Sequence, residues 1–140
     1  MEPVICGSAT DCHSEDDAEK YELSVGNIVV NRVNSPTHLG KSLAVRERHL
    51  PAVFESNMMR FGLAGAVVPS YIQHYLSSVS GKARLTVNAK WAVNQASINQ
   101  SDVGATLVPL PPEGEQQRIV AEIDRLLSAA QDTAATTIAS

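Results

Sequence analysis

The run VPLPPEGEQQRIVAEI, residues 108–123, joins a proline-rich extended segment to the start of an amphipathic helix. Proline restricts φ and lacks a backbone N–H, so the three prolines favour an extended path that leads into a first helical turn. Glu113 and Glu115 then place negative charge at the positive end of the helix dipole. Apolar residues recur from there at spacings of three and four, which predicts a helix from about Glu113 into the 130s. The run therefore marks a border between two structural parts.

Length and composition are those of a small globular protein. The chain has 140 residues, enough for one domain and an appendage, and its 44% hydrophobic content is ordinary for a soluble protein. No apolar run approaches the roughly 18 residues that a membrane span needs, and the N-terminus lacks the pattern of a secretory signal, so we expect a cytoplasmic location. Two cysteines are too few for a disulfide framework.

The net charge of −4 hides an uneven distribution along the chain. Residues 1–22 hold seven acidic side chains and one basic one, and residues 101–140 hold six acidic and two basic. Residues 23–100 between them hold eight basic side chains and two acidic ones. A basic middle between acidic ends fits a DNA-facing body with solvated or protein-facing flanks, although scattered solvated charge explains the same tally.

The middle of the chain alternates between strand and helix patterns. β-Branched residues predict a strand at residues 28–33, and residues 41–45 predict a second strand antiparallel to the first. A third strand is expected at residues 57–63. Proline in a first turn and a one-sided apolar pattern predict a helix at residues 69–79, which Gly81 ends or bends. The expected fold class is α+β, followed by a long amphipathic C-terminal helix.

Three parts make up the expected domain organisation. Residues 1–20 are acidic and aperiodic, and they are interpreted as a disordered leader. Residues 21–111 form the mixed α/β body, and residues 112–140 form the helix. Within the body, residues 82–97 fit either a short helix followed by a loop or irregular structure.

Several segments, in their order and spacing, resemble one protein family. They are residues 26–32, 39–42, 69–76, 95–102 and 109–119. Together they are similar to the specificity subunit of type I restriction-modification systems, over about residues 21–130. In that family the subunit carries two DNA target-recognition domains, separated by long helices that pair and dock methyltransferase subunits, and it performs no chemistry. The resemblance implies that this chain holds the C-terminal part of one recognition domain and the start of a spacer helix, as a truncated, split or remnant subunit.

A DNA-facing surface would come from the basic middle of the chain. Arginine and lysine hold phosphates or read guanine, and glutamine reads adenine. The candidate DNA-binding residues are Arg32, Lys41, Arg46, Arg48, Lys82, Arg84, Lys90 and Gln95. Arg32 matches a recurrent arginine of the family, but it could equally be a strand-end arginine bonded to a neighbouring carboxylate or carbonyl. Solvated loop charge is the alternative for Lys41, Arg46 and Arg48. For the segment of Lys82, Arg84 and Lys90 the alternative has Trp91 in the core and the nearby amides capping turns, and Trp91 is interpreted as a core residue.

The C-terminal helix is the expected protein-facing surface. Its candidate interface residues are Ile119, Val120, Ile123, Leu126, Leu127 and Ala130. The family resemblance implies double-stranded DNA, methyltransferase (modification) subunits and the restriction (translocase and endonuclease) subunit as partners, with a second specificity chain as a further candidate for this helix. S-adenosylmethionine, ATP and Mg would then belong to partner subunits, and this chain would need no cofactor. The alternative function is a helix-mediated interaction module that binds the methyltransferase without reading DNA.

Catalytic and metal-binding motifs are not apparent in the sequence. Cys6, Cys12 and His13 could combine with a later histidine only without any usual zinc-ligand spacing. No Walker loop, dinucleotide fingerprint or paired nucleophile and base is visible, so we expect neither a catalytic residue nor a metal site. Asn99, Ser101 and Asp102 are interpreted as turn and cap residues rather than base readers.

Overall fold

The computed structural model describes residues 21–139, with side chains described as far as Ala135. The acidic segment at residues 1–20, which we expect to be disordered, lies outside the described residues.

The centre of the body is an antiparallel sheet built on a fully buried strand. β1 (Ile28–Asn31) lies between β3 (Ser42–Ala44) and β4 (Met58–Phe61), and both neighbours run antiparallel to it. β2 (Val33–Asn34) follows β1 after a break at Arg32. β-Branched side chains fill β1 because they pack well on a pleated surface that is buried on both faces. The predicted strands and the antiparallel pairing of the first two are confirmed.

A second, smaller sheet forms where the sequence pattern was ambiguous. β5 (Lys90–Ala92) and β6 (Gln95–Ser97) make a hairpin, and β6 also pairs with β2, so the strand order is β2–β6–β5. Asn94 has φ 61°, the left-handed conformation that asparagine adopts more readily than most residues in a tight turn. Residues 82–97 thus form the end of a helix followed by a hairpin, in place of a loop or irregular structure.

Two short helices follow the first sheet and are separated by a single extended residue. α1 (Pro69–Ser77) begins with proline in its first turn, as predicted, and α2 (Val79–Leu85) starts after Ser78 at φ −71° and ψ 160°. The Ser78 hydroxyl accepts a hydrogen bond from the Gly81 N–H at 3.1 Å and so caps α2. The chain therefore bends at Ser78, and the expectation that Gly81 ends or bends the first helix was wrong by three positions.

The last two helices flank the proline-rich segment. α3 (Gln100–Gly104) has a capping box in which Asn99 and Asp102 exchange hydrogen bonds of 2.8 Å, so the interpretation of these residues as caps is confirmed. α4 spans Glu113–Ala139, as the opening run predicts. In the part of the chain that the structure describes, no helix combines the length and apolar character needed to cross a membrane.

Alternating side chains of β1 contribute to two hydrophobic clusters. Ile28 and Val30 join the larger cluster, which also contains apolar residues of α1, α2 and β6, whereas Val29 joins a smaller one under the loops. Ile119 and Val120 of α4 pack against the larger cluster. Helices packed on an antiparallel sheet, with a long helix at the C-terminal end, make this an α+β fold as expected.

Candidate nucleic-acid interface and helix surface

Arg32 lies between β1 and β2, where its guanidinium is anchored by backbone. Its Nε donates a hydrogen bond of 2.9 Å to the carbonyl oxygen of Ser56. This is the carbonyl-bonded arrangement that the sequence left open as an alternative. Because the bond involves Nε, it fixes the direction of the side chain without using the terminal nitrogens that bind phosphate or guanine.

Three of the candidate cations lie around β3. Lys41 immediately precedes the strand and is half-buried, whereas Arg46 and Arg48 are exposed in the loop that follows it. Arg46 donates through Nη2 to the Ser70 hydroxyl at 3.3 Å, which connects this loop to the first turn of α1. The predicted basic loop therefore contains a short 3₁₀ helix, Glu47–His49, and presents two arginines to solvent.

The remaining candidates lie on α2 and on the hairpin. Lys82 donates through Nζ to the Thr37 carbonyl oxygen at 3.3 Å, and Arg84 donates through Nη1 to the Leu107 carbonyl oxygen at 3.3 Å. Lys90 and Gln95 are exposed on the two strands of the hairpin. The structure thus brings Lys90 and Gln95 into one element and places the other candidates next to β1, around β3 and on α2.

Trp91 corrects one interpretation of the sequence. It was expected in the core, but its side chain is 63% exposed on β5, opposite Ala96 of β6. All three residues of β5 are exposed, so the strand has no buried face that could receive an indole ring. Its neighbour at the hairpin tip, Val93, is 91% exposed.

Gln116 is a structural residue that sequence reasoning missed. It is 1% exposed and joins the first turn of α4 to the segment that enters α1. Its Oε1 accepts a hydrogen bond from the Val68 N–H at 2.9 Å, and its Nε2 donates to the carbonyl oxygens of Ala66 at 3.2 Å and Pro111 at 2.8 Å. Its position in the sequence could have indicated this role. Gln116 lies three residues before Ile119 and four before Val120, and therefore on the face of α4 that packs against the body.

The proline-rich segment is held by tyrosines of α1. The Tyr71 hydroxyl donates to the Pro109 carbonyl oxygen at 2.5 Å, and the Tyr75 hydroxyl donates to the Leu107 carbonyl oxygen at 3.4 Å. Burial raises the pKa of Tyr71 above its ordinary value of 10.0, and the neighbouring Tyr75 raises it further. The extended backbone before α4 is therefore attached to the body by side-chain hydrogen bonds.

We expect this tyrosine to give the chain a measurable sensitivity to base. Because the pKa of Tyr71 is higher in the folded state than 10.0, its contribution to stability is complete below pH 10.0 and is lost as the pH rises through the raised folded value. Urea unfolding of the wild-type chain and of Tyr71→Phe, measured at several alkaline pH values, tests this. The free-energy difference between the two chains should shrink with rising pH, and a constant difference would contradict the expectation.

The fold partly buries some of the predicted helix-interface residues and leaves the others exposed. Ile119 and Val120 pack against the body's own core, and Ile123 is half-buried. Leu126 and Leu127 are each 52% exposed. Every side chain from Asp124 to Ala135 is exposed, so the second half of α4 has an apolar stripe without cover from the described body.

Polar contacts hold α4 at its last point of contact with the body. His74 Nε2 and Asp124 Oδ1 lie 2.9 Å apart and connect α1 to α4. Along α4 itself, Arg125 pairs with Glu122 at 2.7 Å and lowers the pKa of that carboxyl. The Arg125–Glu122 pair is exposed and adds little stability, and both pairs leave the leucine stripe unobstructed.

One cleft of the body is lined mainly by apolar side chains. A cavity of about 310 Å³ lies between β4, α1 and α3, and its walls include Phe61, Ile72, Leu76 and Val103. Among the described residues, no three histidine, cysteine, aspartate or glutamate side chains come together as a metal site. The cysteines considered as metal ligands lie outside the described residues.

The described structure therefore combines basic loops on an α+β body with a partly uncovered amphipathic helix. No family model matches the chain. It is 30% identical over 117 residues to the specificity subunit assigned to the MjaX type I restriction enzyme of Methanocaldococcus jannaschii, a match that covers 81% of this chain and 28% of that protein. It is also 27% identical over 117 residues to the EcoKI specificity subunit of Escherichia coli K12, covering 82% of this chain and 25% of that subunit.

These two matches show which proteins the sequence is related to. The chain is related to the specificity subunits of type I restriction enzymes over about four fifths of its length, and the resemblance predicted from its segments is confirmed. It spans about a quarter of the length of the curated relatives it matches.

Proposed function

We propose that this chain is a non-catalytic DNA-recognition component of a type I restriction-modification complex, acting in the cytoplasm. The similarity to two specificity subunits over about four fifths of the chain carries the proposal. The partners would be double-stranded DNA, methyltransferase subunits and the restriction subunit, with a second specificity chain as a further candidate. S-adenosylmethionine, ATP and Mg would be bound by the partner subunits.

The arrangement of the basic side chains supports a DNA-facing role for the body. Arg32, Lys82 and Arg84 each donate to a backbone carbonyl of another segment, which orients them at low cost. Such anchored cations bind phosphates with less loss of side-chain freedom than free surface lysines. Phosphate contacts of this kind would set the position of the body on the duplex, and Gln95 could read a base edge.

We expect duplex binding to weaken with salt and to depend on the anchored cations. Binding of a dye-labelled duplex to the chain with a methyltransferase subunit present, measured by anisotropy, should give a linear fall of log K with log salt. Each phosphate contact removed should reduce the slope by about 0.9. The double variant Lys82→Glu, Arg84→Glu should therefore bind more weakly and with a shallower slope.

A matched charge reversal on α4 provides the control. Arg118 is exposed and pairs with Glu115 at 2.6 Å on the acidic helix, so Arg118→Glu should leave the slope unchanged. Absent binding, or binding that does not respond to salt, would count against DNA recognition by this chain.

The uncovered stripe of α4 favours one alternative, a module that binds the methyltransferase without reading DNA. If this alternative holds, the double variant Ile123→Asp, Leu127→Asp would no longer co-purify with a methyltransferase subunit. Charge reversal at Lys82 and Arg84 would leave co-purification unchanged. Ser128→Asp, exposed on the other side of α4, is the control for added charge. If the chain shows this pattern and does not bind duplex, the alternative replaces the main proposal.

A further inference from the structure

The β5–β6 hairpin exposes the kind of side chains that folded proteins usually bury. Trp91 is 63% exposed and Val93 at the tip is 91% exposed. The chain contains one tryptophan and only 4% aromatic residues, and among the described aromatic residues Trp91 alone is exposed. Exposed aromatic surface of this kind commonly marks a site of contact with another molecule.

The hairpin is supported at its base, whereas its tip projects. In the described part of the chain, β2 pairs with Ala96 and Ser97 of β6, and the Ala96 side chain is buried. The tip at residues 92–95 lies beyond that pairing and consists of exposed side chains. A ribbon that is anchored at one end and free at the other can enter a groove without disturbing the fold.

The charge of residues 79–101 indicates which kind of molecule the hairpin would bind. Residues 79–101 contain Lys82, Arg84 and Lys90 and no acidic residue. Lys90 and Gln95 are exposed on the same hairpin as Trp91. A stretch of chain that carries three basic and no acidic side chains complements a polyanion, and lysine and glutamine match phosphate and base-edge groups respectively.

We propose that the β5–β6 hairpin enters a groove of duplex DNA as a two-stranded ribbon, with Trp91 and Val93 making its apolar contacts and Lys90 contacting phosphate. The major groove is about 12 Å wide and admits a two-stranded ribbon. Apolar side chains at such a position pack against thymine methyl groups or the edges of stacked bases. This inference rests on the proposed DNA-binding function and names the element that would carry it.

The single tryptophan makes the hairpin directly observable. A dye-labelled duplex of mixed sequence is titrated with the chain and a tryptophan-free methyltransferase subunit, and dye anisotropy and Trp91 emission are recorded together. We expect Trp91 emission to be quenched in step with the anisotropy rise. Trp91→Ala should weaken duplex binding by about tenfold, which corresponds to roughly 1.4 kcal/mol, and Trp91→Phe should retain most of the affinity.

Leu110→Ala is the matched control, because Leu110 is apolar and 54% exposed but lies in the proline-rich segment, outside residues 79–101. It should bind duplex like the wild type. Trp91→Ala should also unfold at the wild-type urea concentration, since the indole is exposed, and this separates a contact role from a folding defect.

The two readouts distinguish failure of the hairpin proposal from failure of DNA binding. An anisotropy rise with unchanged Trp91 emission and a wild-type affinity for Trp91→Ala would overturn the hairpin proposal and leave DNA binding intact. No anisotropy rise would overturn both. Quenching by the methyltransferase subunit alone, without further change on adding duplex, would show that the hairpin binds protein and would also overturn the proposal.

Discussion

Gly81→Ala is expected to destabilise the chain by about 3 kcal/mol or more. A Cβ at this position would lie 1.9 Å from the Tyr75 carbonyl oxygen, 2.6 Å from the Tyr75 carbonyl carbon and 3.1 Å from the Leu76 Cα. These atoms are backbone, so they cannot rotate away as the end of a side chain could. The variant must separate α2 from α1, whose close approach buries Leu76 and Leu85.

Urea unfolding followed by circular dichroism measures this effect, and Gly114→Ala is the matched control. Gly114 lies in the first turn of α4, and an added Cβ there meets nothing within 4 Å. Alanine is the better helix former, so the control should be neutral or more stable by up to about 1 kcal/mol. A Gly81→Ala chain that unfolds at the wild-type urea concentration would show that α1 and α2 are not packed this closely.

Gln116→Leu is the second change expected to have a large effect, with a loss of about 3 kcal/mol. Leucine approximates the volume of glutamine but would leave the Val68 N–H and the carbonyl oxygens of Ala66 and Pro111 without their partner. Each buried polar group left unsatisfied costs about 1–3 kcal/mol, and Ala66 is exposed enough to recover a bond to water. The loss should therefore fall below the sum of three full penalties.

Hydrogen exchange locates the effect of this substitution. The Val68 amide should be protected in the wild type and should exchange faster in Gln116→Leu, because it donates directly to the Gln116 side chain. Gln117→Leu, at the exposed neighbouring position, should change stability by no more than about 0.5 kcal/mol. Wild-type protection at Val68 together with a wild-type unfolding midpoint would refute the role given to Gln116.

A loss of this side chain should also affect any partner that binds α4. The first turn of α4 is held by Gln116, and the extended segment before it is held by Tyr71 through the Pro109 carbonyl. Together these bonds fix the direction in which the exposed half of α4 leaves the body. A partner that contacts both body and helix would therefore depend on residues that it does not itself touch.

Strong local patterns in the sequence predicted much of the fold. The β-branched run of β1, the proline at the start of α1 and the proline-to-helix border at Glu113 each act through neighbouring residues, and each lies where it was expected. The order and spacing of such segments also predicted the relationship to type I specificity subunits. For the candidate DNA-binding surface, the sequence predicted only which residue types are present. It shows which lysines and arginines the chain has, but it does not show which backbone carbonyls bond to them.

The sheet that holds the hairpin and the burial of Gln116 depended on contacts between distant segments, because β6 pairs with β2 and Gln116 bonds to Val68. β5 is exposed on all its residues, so it has no alternation that a sequence pattern could show, and it is a strand because β6 pairs with it. Trp91 was assigned to the core from its residue type, but the sheet that holds it has no buried position for it.

The sequence by itself determined where the chain extends, where it becomes helical and which family it resembles, because backbone preference and apolar periodicity are local properties. Only the tertiary structure decided which part of the apolar stripe of α4 is buried within the chain and which part remains uncovered. Ile119 and Val120 are partly buried against the core and Leu126 and Leu127 are about half exposed, although all four belong to one periodic stripe. The physical reason is that α4 extends past the body. The apolar periodicity of the helix continues there, but the described body offers no further surface that could bury it.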